Sequence, residues 1–295
     1  MITEVTAKTI LNHVKQPDPW FGLKYNMNLY RGCQHQCIYC DSRSDCYRLG
    51  NLADIQVKVN ALDLLADALP RKRVRGTIGF GSMNDPYMPV EREYRLTRGA
   101  LQIISNHQFP VHILTKSDLV LRDLELLIKI SQIYAAVSFT ITTADDNLAN
   151  KVEPGAPLPS ARYRAMHHLA NAGVLTGVTM MPILPFLEDD PASIQIIIKK
   201  AKENGAAYII PAFGMTLRPG SRDYYYQQLD QLFPGIKEKY IQTFGEDYQC
   251  NVPNWRHLND IFQEGMEMAD LVSVMPVFTP EQSVGKINQL PLFKE

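Results

Sequence analysis

Apolar runs rich in β-branched residues alternate with segments of helical period from about residue 20 to residue 211. The runs predict strands at Lys24–Tyr30, Thr77–Gly81, Val111–Thr115, Ala136–Thr142, Val174–Met180 and Ala207–Pro211. The segments between them predict helices at Ala61–Ala68, Thr97–Asn106, Val120–Ile133, Ser160–Asn171 and Ala192–Asn204. Strands that alternate with helices, without a hairpin signal, form parallel sheets with right-handed crossovers. The pattern therefore predicts an α/β fold.

The alternation of strands and helices stops at about Met215. Beyond that residue, Tyr224–Phe233 and Asn259–Met268 have the period of helices. We therefore expect an α/β domain over residues 1–215 and a C-terminal helical extension, over residues 216–295, that packs on it.

Composition and charge are those of a soluble intracellular enzyme. The 30 basic and 31 acidic residues leave a net charge of −1, which gives no general attraction to nucleic acid or to anionic membranes. A contact with nucleic acid would rest on a local patch such as the basic run 71–75. No apolar stretch approaches the ~20 residues that span a bilayer, and residues 1–14 lack the apolar core of a signal peptide. These features predict a cytoplasmic protein without a membrane contact.

Three of the five cysteines, Cys33, Cys37 and Cys40, lie in a C-x3-C-x2-C run directly after the first predicted strand. Three thiolates from one tight loop suit a cubane iron–sulfur cluster whose fourth iron has no protein ligand. An alternative is a non-catalytic binding module in which Cys46 completes a four-thiolate zinc site. Zinc ribbons usually join two separated C-x2-C pairs, however, and the chain has no second pair. Unliganded core cysteines are disfavoured because the intervening residues 34–36 are polar.

The cysteine spacing, with an aromatic Tyr39 before Cys40, resembles the C-x3-C-x-aromatic-C signature of the radical S-adenosylmethionine (SAM) superfamily. The resemblance implies a [4Fe-4S] cluster on Cys33, Cys37 and Cys40 and SAM chelated at the open iron. It also implies a 5′-deoxyadenosyl radical and an electron donor such as flavodoxin or ferredoxin. The expected fold is a partial (β/α)6 TIM-like barrel with its site at the carboxyl ends of the strands. A doubly wound nucleotide fold would instead have a glycine-rich first turn.

Motifs at the later strand ends resemble the spore photoproduct lyase-like, or DNA repair photolyase-like, subgroup. They are Gly79–Tyr87, Ile113–Ser117, Val137–Thr140 and Glu153–Pro157 followed by Arg162, and the resemblance covers about residues 20 to 215. It implies a lyase or another radical enzyme with a possible role in DNA repair, and a nucleic-acid lesion or a nucleotide as the leading substrate.

One departure from this subgroup concerns the hydrogen-atom donor. The lyase returns a hydrogen atom from a cysteine near the end of its second strand, where this chain has residues 81–83, Gly-Ser-Met. Repair of spore photoproduct itself is therefore not expected. Tyr87, Tyr94 and Cys250 remain as alternative donors, although no motif favours any of them.

The strand ends also supply candidate contacts for SAM. Acceptor groups of Ser82, Asn84 and Asp85 suit the methionine ammonium. Lys116 suits the methionine carboxylate, and the resemblance implies a second SAM contact at Ser138. The alternatives are an ordinary solvated loop charge for Asp85 and Lys116 and a satisfied interior hydroxyl for Ser138.

Three further SAM contacts are predicted on neighbouring segments. Tyr39 would present its backbone or ring to adenine. Thr140 and Thr142 alternate with apolar residues, so both point to one side of the strand and suit ribose hydroxyls. Arg162 is the third candidate, although an ion pair with Glu153 that braces this part of the fold is the favoured role.

The C-terminal residues Gln289–Phe293 have the sequence Gln-Leu-Pro-Leu-Phe. This resembles the short peptide by which bacterial polymerases and repair proteins dock on the replicative sliding clamp. In the alternative, the apolar side chains fold back and seal the barrel.

Overall fold

A central sheet of seven strands organises the protein, whose computed structural model describes residues 1–16 and 19–280. The strands are β1 (Ile2–Val5), β2 (Leu11–His13), β3 (Tyr25–Met27), β4 (Tyr30–Arg31), β5 (Ile55–Lys58), β6 (Ile78–Phe80), β7 (Val111–Thr115), β8 (Ala135–Thr140), β9 (Leu175–Met180), β10 (Tyr208–Pro211), β11 (Gly214–Thr216) and β12 (Gln249–Asn251). The central sheet has the order β10-β9-β8-β7-β6-β3-β2.

Helices connect the strands of this sheet and continue beyond it. They are α1 (Ala61–Ala68), α2 (Glu91–Tyr94), α3 (Leu96–Asn106), α4 (Leu124–Ser131), α5 (Asp146–Val152), α6 (Pro159–Asn171), α7 (Pro191–Glu203), α8 (Ser221–Leu232), α9 (Ile236–Phe244) and α10 (Trp255–Ala269). Each predicted helix is present, with ends that shift by a few residues. The largest shift is in the predicted helix 120–133, where residues 118–123 form a 3₁₀-helix and α4 begins only at Leu124.

Strands β3, β6, β7, β8, β9 and β10 are parallel and lie in sequence order across the sheet. The predicted α/β class and the expected partial barrel of parallel strands are confirmed. All six residues of β8 are buried, and the apolar side chains of the helices cover the sheet. Because parallel strands end at the same edge, the segments that follow β6, β7 and β8 meet there.

The predicted strand 24–30 is divided in the structure. Its first part is β3 in the central sheet, whereas its end, β4, pairs with β5 in a separate sheet of order β1-β5-β4. Strands β1, β2 and β5 were not predicted, since they have three or four residues each. Runs this short carry too little periodicity to be recognised.

The part of the chain beyond residue 215 contains a strand as well as helices. β12 pairs antiparallel with β11, and α10 packs on α7 through Gly265 and Ile198. Helices α8 and α9 form a second apolar cluster around Tyr225 and Tyr240. The division at residue 215 stays a prediction. Among the described residues, no helix is long and apolar enough to cross a bilayer.

Candidate functional site

The cysteine loop is held in place by backbone bonds to two other segments. Cys33 donates its N–H to the Leu52 carbonyl at 2.8 Å, and Ile38 donates to Val152 at 2.9 Å. The carbonyl of His35 accepts from the N–H of Gly155 at 2.9 Å. A Cβ atom on Gly155 would lie 2.2 Å from the Gln34 carbonyl oxygen, so only glycine permits this approach. The loop therefore rests directly on the 153–157 segment.

The three thiols of the loop differ in their environment. Cys33 and Cys37 are buried, whereas Cys40 is partly exposed, and all three are free of disulfides. Burial raises the pKa of Cys33 to about 12, and the negative charge of Asp85 adds to this. Burial likewise raises the pKa of Cys37, although the ammonium of Lys116 opposes the shift. Such thiols lose their protons when a bound metal supplies the compensating charge.

The arrangement fits an iron–sulfur cluster better than a zinc ion. Within residues 1–16 and 19–280, no group of three His, Cys, Asp or Glu side chains converges on one ion position. Cys46 is exposed, and its sulfur accepts from Arg218 Nη1 at 3.4 Å. A cubane cluster needs no such convergence, because each thiolate binds a different iron. The zinc alternative therefore has no support from the geometry.

A cavity of about 610 Å³ opens beside Cys40 at the carboxyl ends of the strands. This volume is within the range of small-molecule sites. Four of the predicted SAM contacts line it, and they are Tyr39, Ser82, Lys116 and Thr140. The cysteine loop and the strand ends that follow β6, β7 and β8 thus face one cavity.

Glu153 lies at the centre of a buried charge network behind this cavity. Its carboxylate accepts from the hydroxyl of Tyr39 and from Nη2 of Arg162, and Lys116 Nζ lies 3.9 Å from Oε1. Although burial opposes ionisation, Arg162 and Lys116 hold the pKa of Glu153 below its ordinary value. Two cations thus face the carboxylate of Glu153. Of the two, Lys116 is the one that lines the cavity.

Arg162 serves the fold rather than the cavity. Besides its ion pair with Glu153, it donates to the carbonyls of Thr140 at 2.8 Å and Pro157 at 2.7 Å. Its side chain is 1% exposed and does not line the cavity. The expected ion pair is present, and the structure does not support a SAM contact at Arg162.

Asp85 and Asn84 also face away from the cavity. The Asp85 carboxylate accepts from Thr115 Oγ1 and from the backbone N–H groups of Lys116 and Tyr87, and His35 Nδ1 lies 3.3 Å away. Burial opposes its charge, but His35 and these donors bring the pKa of Asp85 to about 2. Asn84 donates to the Tyr30 carbonyl at 2.5 Å. Since neither residue lines the cavity, the structure does not support their predicted contact with the methionine ammonium.

Two predicted hydroxyl contacts are inside the protein. Ser138 is fully buried, and its Oγ lies 2.8 Å from His112 Nε2 and 2.6 Å from the Tyr208 hydroxyl. Thr142 donates to Glu188 at 2.8 Å. Neither residue lines the cavity, so the structure does not support a SAM contact at Ser138, and the alternative of a satisfied interior hydroxyl describes it. Thr140, two residues before Thr142, does reach the cavity.

The predicted hydrogen-atom donors lie away from the cavity. Tyr87 is buried and donates to Asp123 at 3.1 Å, and Tyr94 donates to Glu4 at 3.1 Å. Cys250 is also buried. None of the three lines the cavity.

Features that favoured nucleic acid are located elsewhere as well. The basic run 71–75 precedes β6 and so lies at the opposite, amino-terminal edge of the sheet. The clamp-like segment Gln289–Phe293 lies outside the described residues.

Several cavity residues escaped the sequence analysis. The cavity is also lined by Trp20 on a loop, by Tyr47 at the end of a short 3₁₀-helix, and by Gln249 and Asn251 on β12. The alternation of polar and apolar residues at 249–252 was the one available signal for this strand.

Comparisons with known proteins agree with this architecture. The family model described as the radical SAM superfamily matches residues 27–195. An uncharacterised protein of Methanocaldococcus jannaschii is 36% identical over 204 residues, which cover 68% of this chain and 73% of that protein. An uncharacterised protein of Mycobacterium tuberculosis is 30% identical over 249 residues, covering 82% and 73%.

A solved structure shares the fold. Spore photoproduct lyase in complex with dinucleoside spore photoproduct superposes with a TM-score of 0.70 at 17% identity. The match covers 93% of this chain and 82% of the lyase chain. At this identity the likeness concerns the fold alone.

Proposed function

This chain belongs to the radical SAM superfamily, whose enzymes use a [4Fe-4S] cluster and SAM, and on that premise we propose that it cleaves SAM reductively. Cys33, Cys37 and Cys40 would hold the cluster. When bound, the cluster would supply one electron to the sulfonium of SAM, and cleavage would give methionine and a 5′-deoxyadenosyl radical. The observation that carries the proposal is that Cys40, Tyr39 and Lys116 line one cavity at the carboxyl ends of the strands.

Lys116 is proposed to bind the methionine carboxylate of SAM. Burial opposes the charge on its ammonium, but the nearby Cys37 and Glu153 raise its pKa above the ordinary value. Glu153 is already paired with Arg162, so the charge on Lys116 is available to a second anion. A charge-assisted bond of this kind orients the ligand as well as holding it.

Three other cavity residues have proposed roles in SAM binding. Ser82, whose hydroxyl bonds to Asn26, offers an acceptor for the methionine ammonium. Thr140 lines the cavity, and its hydroxyl, which accepts from Thr179 Oγ1 at 3.1 Å, suits a ribose hydroxyl. The ring of Tyr39 is held through its hydroxyl by Glu153 and presents a rigid edge to adenine.

For the substrate we propose a nucleic-acid lesion or a nucleotide. The support is the fold shared with spore photoproduct lyase, which was solved with a dinucleoside photoproduct. Spore photoproduct itself is not proposed, because Cys40 is the one cysteine that lines the described cavity and it is needed for the cluster. A flavodoxin or ferredoxin would deliver the electron. We place the reaction in the cytoplasm because a reducing compartment protects such a cluster.

The proposal is tested with anaerobically reconstituted protein, SAM and dithionite. The wild type should be brown and should form 5′-deoxyadenosine. Cys40→Ala should lose both properties, and Cys46→Ala, the matched control from outside the cluster, should retain both. A colourless wild type that binds one zinc ion, or loss of iron from Cys46→Ala, would contradict the proposal.

A further inference from the structure

One wall of the cavity takes no part in the proposed cluster and SAM sites. It is formed by β11, β12 and Trp20. On β12, Gln249 and Asn251 are exposed on one face, whereas Cys250 between them is buried on the other. Gln249 pairs with Thr216 and Asn251 with Gly214, so the two amides lie two residues apart on the cavity side of this small sheet.

The two amides are available to a ligand. Within the described part of the chain, neither the Gln249 nor the Asn251 side chain makes a hydrogen bond. Each amide offers two N–H donors and a carbonyl acceptor. Together they can read a ligand edge that carries both donors and acceptors.

The wall carries no charge. The cavity lining contains one carboxylate, Asp41, and one ammonium, Lys116, and these belong to the cysteine loop and to the end of β7. A charged substrate group placed against the wall would lose its hydration without gaining an opposite charge. The wall therefore suits a neutral group.

An aromatic surface completes the wall. Trp20 is 40% exposed and lines the cavity. Aromatic faces bind nucleobases by stacking, and asparagine or glutamine amides bind base edges through paired hydrogen bonds. A peptide bond offers the same donors and acceptors but has no ring to cover the indole.

We propose that Trp20, Gln249 and Asn251 form a nucleobase subsite, which deepens the proposed function and rests on it. Stacking on Trp20 would hold the ring, and the amides would select its edge. Both the face and the edge of the base must be exposed, so the base enters unpaired and unstacked. The phosphates then lie outside the neutral wall.

The test measures nucleoside binding to the SAM-loaded holoenzyme by equilibrium dialysis. The probes are thymidine, uridine, cytidine, adenosine and guanosine, with acetyl-triglycine amide as the peptide probe. At least one nucleoside should bind saturably with Kd of about 1 mM or below. The double variant Gln249→Ala/Asn251→Ala should weaken that binding at least about tenfold, and Trp20→Leu should weaken it as well.

The matched control removes the same two groups elsewhere. Gln102→Ala/Asn106→Ala deletes two amides that bond only to each other on the exposed face of α3, and binding should stay within about twofold of wild type. If the alanine double variant loses its iron, the near-isosteric Gln249→Glu/Asn251→Asp replaces it and should weaken binding too, because it places charge on the wall.

Three results would overturn the subsite: no nucleoside binds, the peptide binds in preference, or the altered wall binds as tightly as wild type. Formation of 5′-deoxyadenosine by the wild type is measured in parallel. If it forms while no nucleoside binds, the subsite is wrong and SAM cleavage stands. If it does not form, the proposed function fails whatever the dialysis shows.

Discussion

At the scale of single residues, the charge balance behind the cavity determines what the site can bind. Arg162 and Lys116 both face Glu153, and burial raises the pKa of another nearby carboxyl, Glu188, to about 8. Lys116 is the cation of this group that lines the cavity. This arrangement favours an anionic group of a ligand beside the cysteine loop.

Replacement of Lys116 by alanine should weaken SAM binding by about 1.5 to 3 kcal/mol, because a charge-assisted hydrogen bond is lost. Iron content should not change, since Lys116 is not a ligand. Calorimetric titration of the reconstituted protein with SAM measures the effect. Lys199→Ala, an exposed lysine on α7, is the control. Equal SAM affinities of the two variants would show that Lys116 does not bind SAM.

Glu188 should make stability depend on pH. In the unfolded chain the pKa of a glutamate is about 4.5, whereas burial raises the pKa of Glu188 in the folded protein to about 8. Between these values the folded state keeps a proton that the unfolded chain has released. The contribution of this group is thus fully present below pH 4.5 and is lost as the pH rises to 8, by at most about 1.4 kcal/mol per unit.

Urea unfolding at pH 5, 6, 7 and 8 tests this expectation. Glu188→Gln carries no titrating group, and its amide can donate to Thr142 and accept from the Leu184 N–H. The free energy of unfolding of this variant, relative to wild type, should therefore rise with pH. For the exposed control Glu203→Gln, the free energy of unfolding relative to wild type should be the same at every pH. A constant difference for Glu188→Gln as well would mean that Glu188 is ionised in the folded protein.

Residue types in the sequence predicted the chemistry of the site more reliably than they predicted which side chains line the cavity. The cysteine spacing and Lys116 could be recognised because each combines a reactive group with a strand end. Asp85 and Ser138 have the same kind of position but face inward, towards Thr115 and His112 respectively. Which way such a side chain turns depends on tertiary partners that the local sequence does not encode.

At the scale of elements, the segment 153–157 supports the cysteine loop. Gly155→Ala would bring a methyl group within 2.2 Å of the Gln34 carbonyl oxygen and 3.0 Å of His35 Cα. The cysteine loop must then move, so we expect a large loss of iron after reconstitution with less effect on the overall fold. Iron per chain and circular dichroism, measured side by side, separate the two effects.

The control is another glycine with no such neighbour. Gly173 has a φ of +80°, and a Cβ atom added there would have nothing within 4 Å. Gly173→Ala should therefore cost about 1 kcal/mol of stability and keep its iron. Full iron occupancy in Gly155→Ala would show that the cysteine loop does not depend on this contact.

The central elements of the barrel could be predicted because β7, β8 and β9 have five or six residues each, and α3, α6 and α7 have eleven to thirteen. The cavity wall on β11 and β12 could not, since each strand has three residues and the two are separated by two helices. The local sequence does not encode pairing between strands so far apart. The one signal in the sequence is the brief alternation of polar and apolar residues at 249–252.

At the scale of the whole molecule, the cavity joins parts of the chain that are distant in sequence. The cysteine loop near residue 40, the ends of β6 to β8 and the strand at 249–251 all line it. The expected boundary at residue 215 falls within β11, which lines the cavity and pairs with β12. We therefore propose that both parts of the chain are needed for a complete site, the first for cluster and SAM and the second for substrate.

The central claim is that three cysteines leave one iron open to SAM, and magnetic resonance of the reduced cluster tests it most directly. The reconstituted protein is reduced and mixed with SAM labelled with ¹⁷O in its carboxylate and ¹⁵N in its amino group. The account predicts hyperfine coupling of both labels to the cluster in the wild type and in Cys46→Ala. A cluster spectrum that SAM does not change, or a signal that requires Cys46 as a fourth ligand, would contradict it.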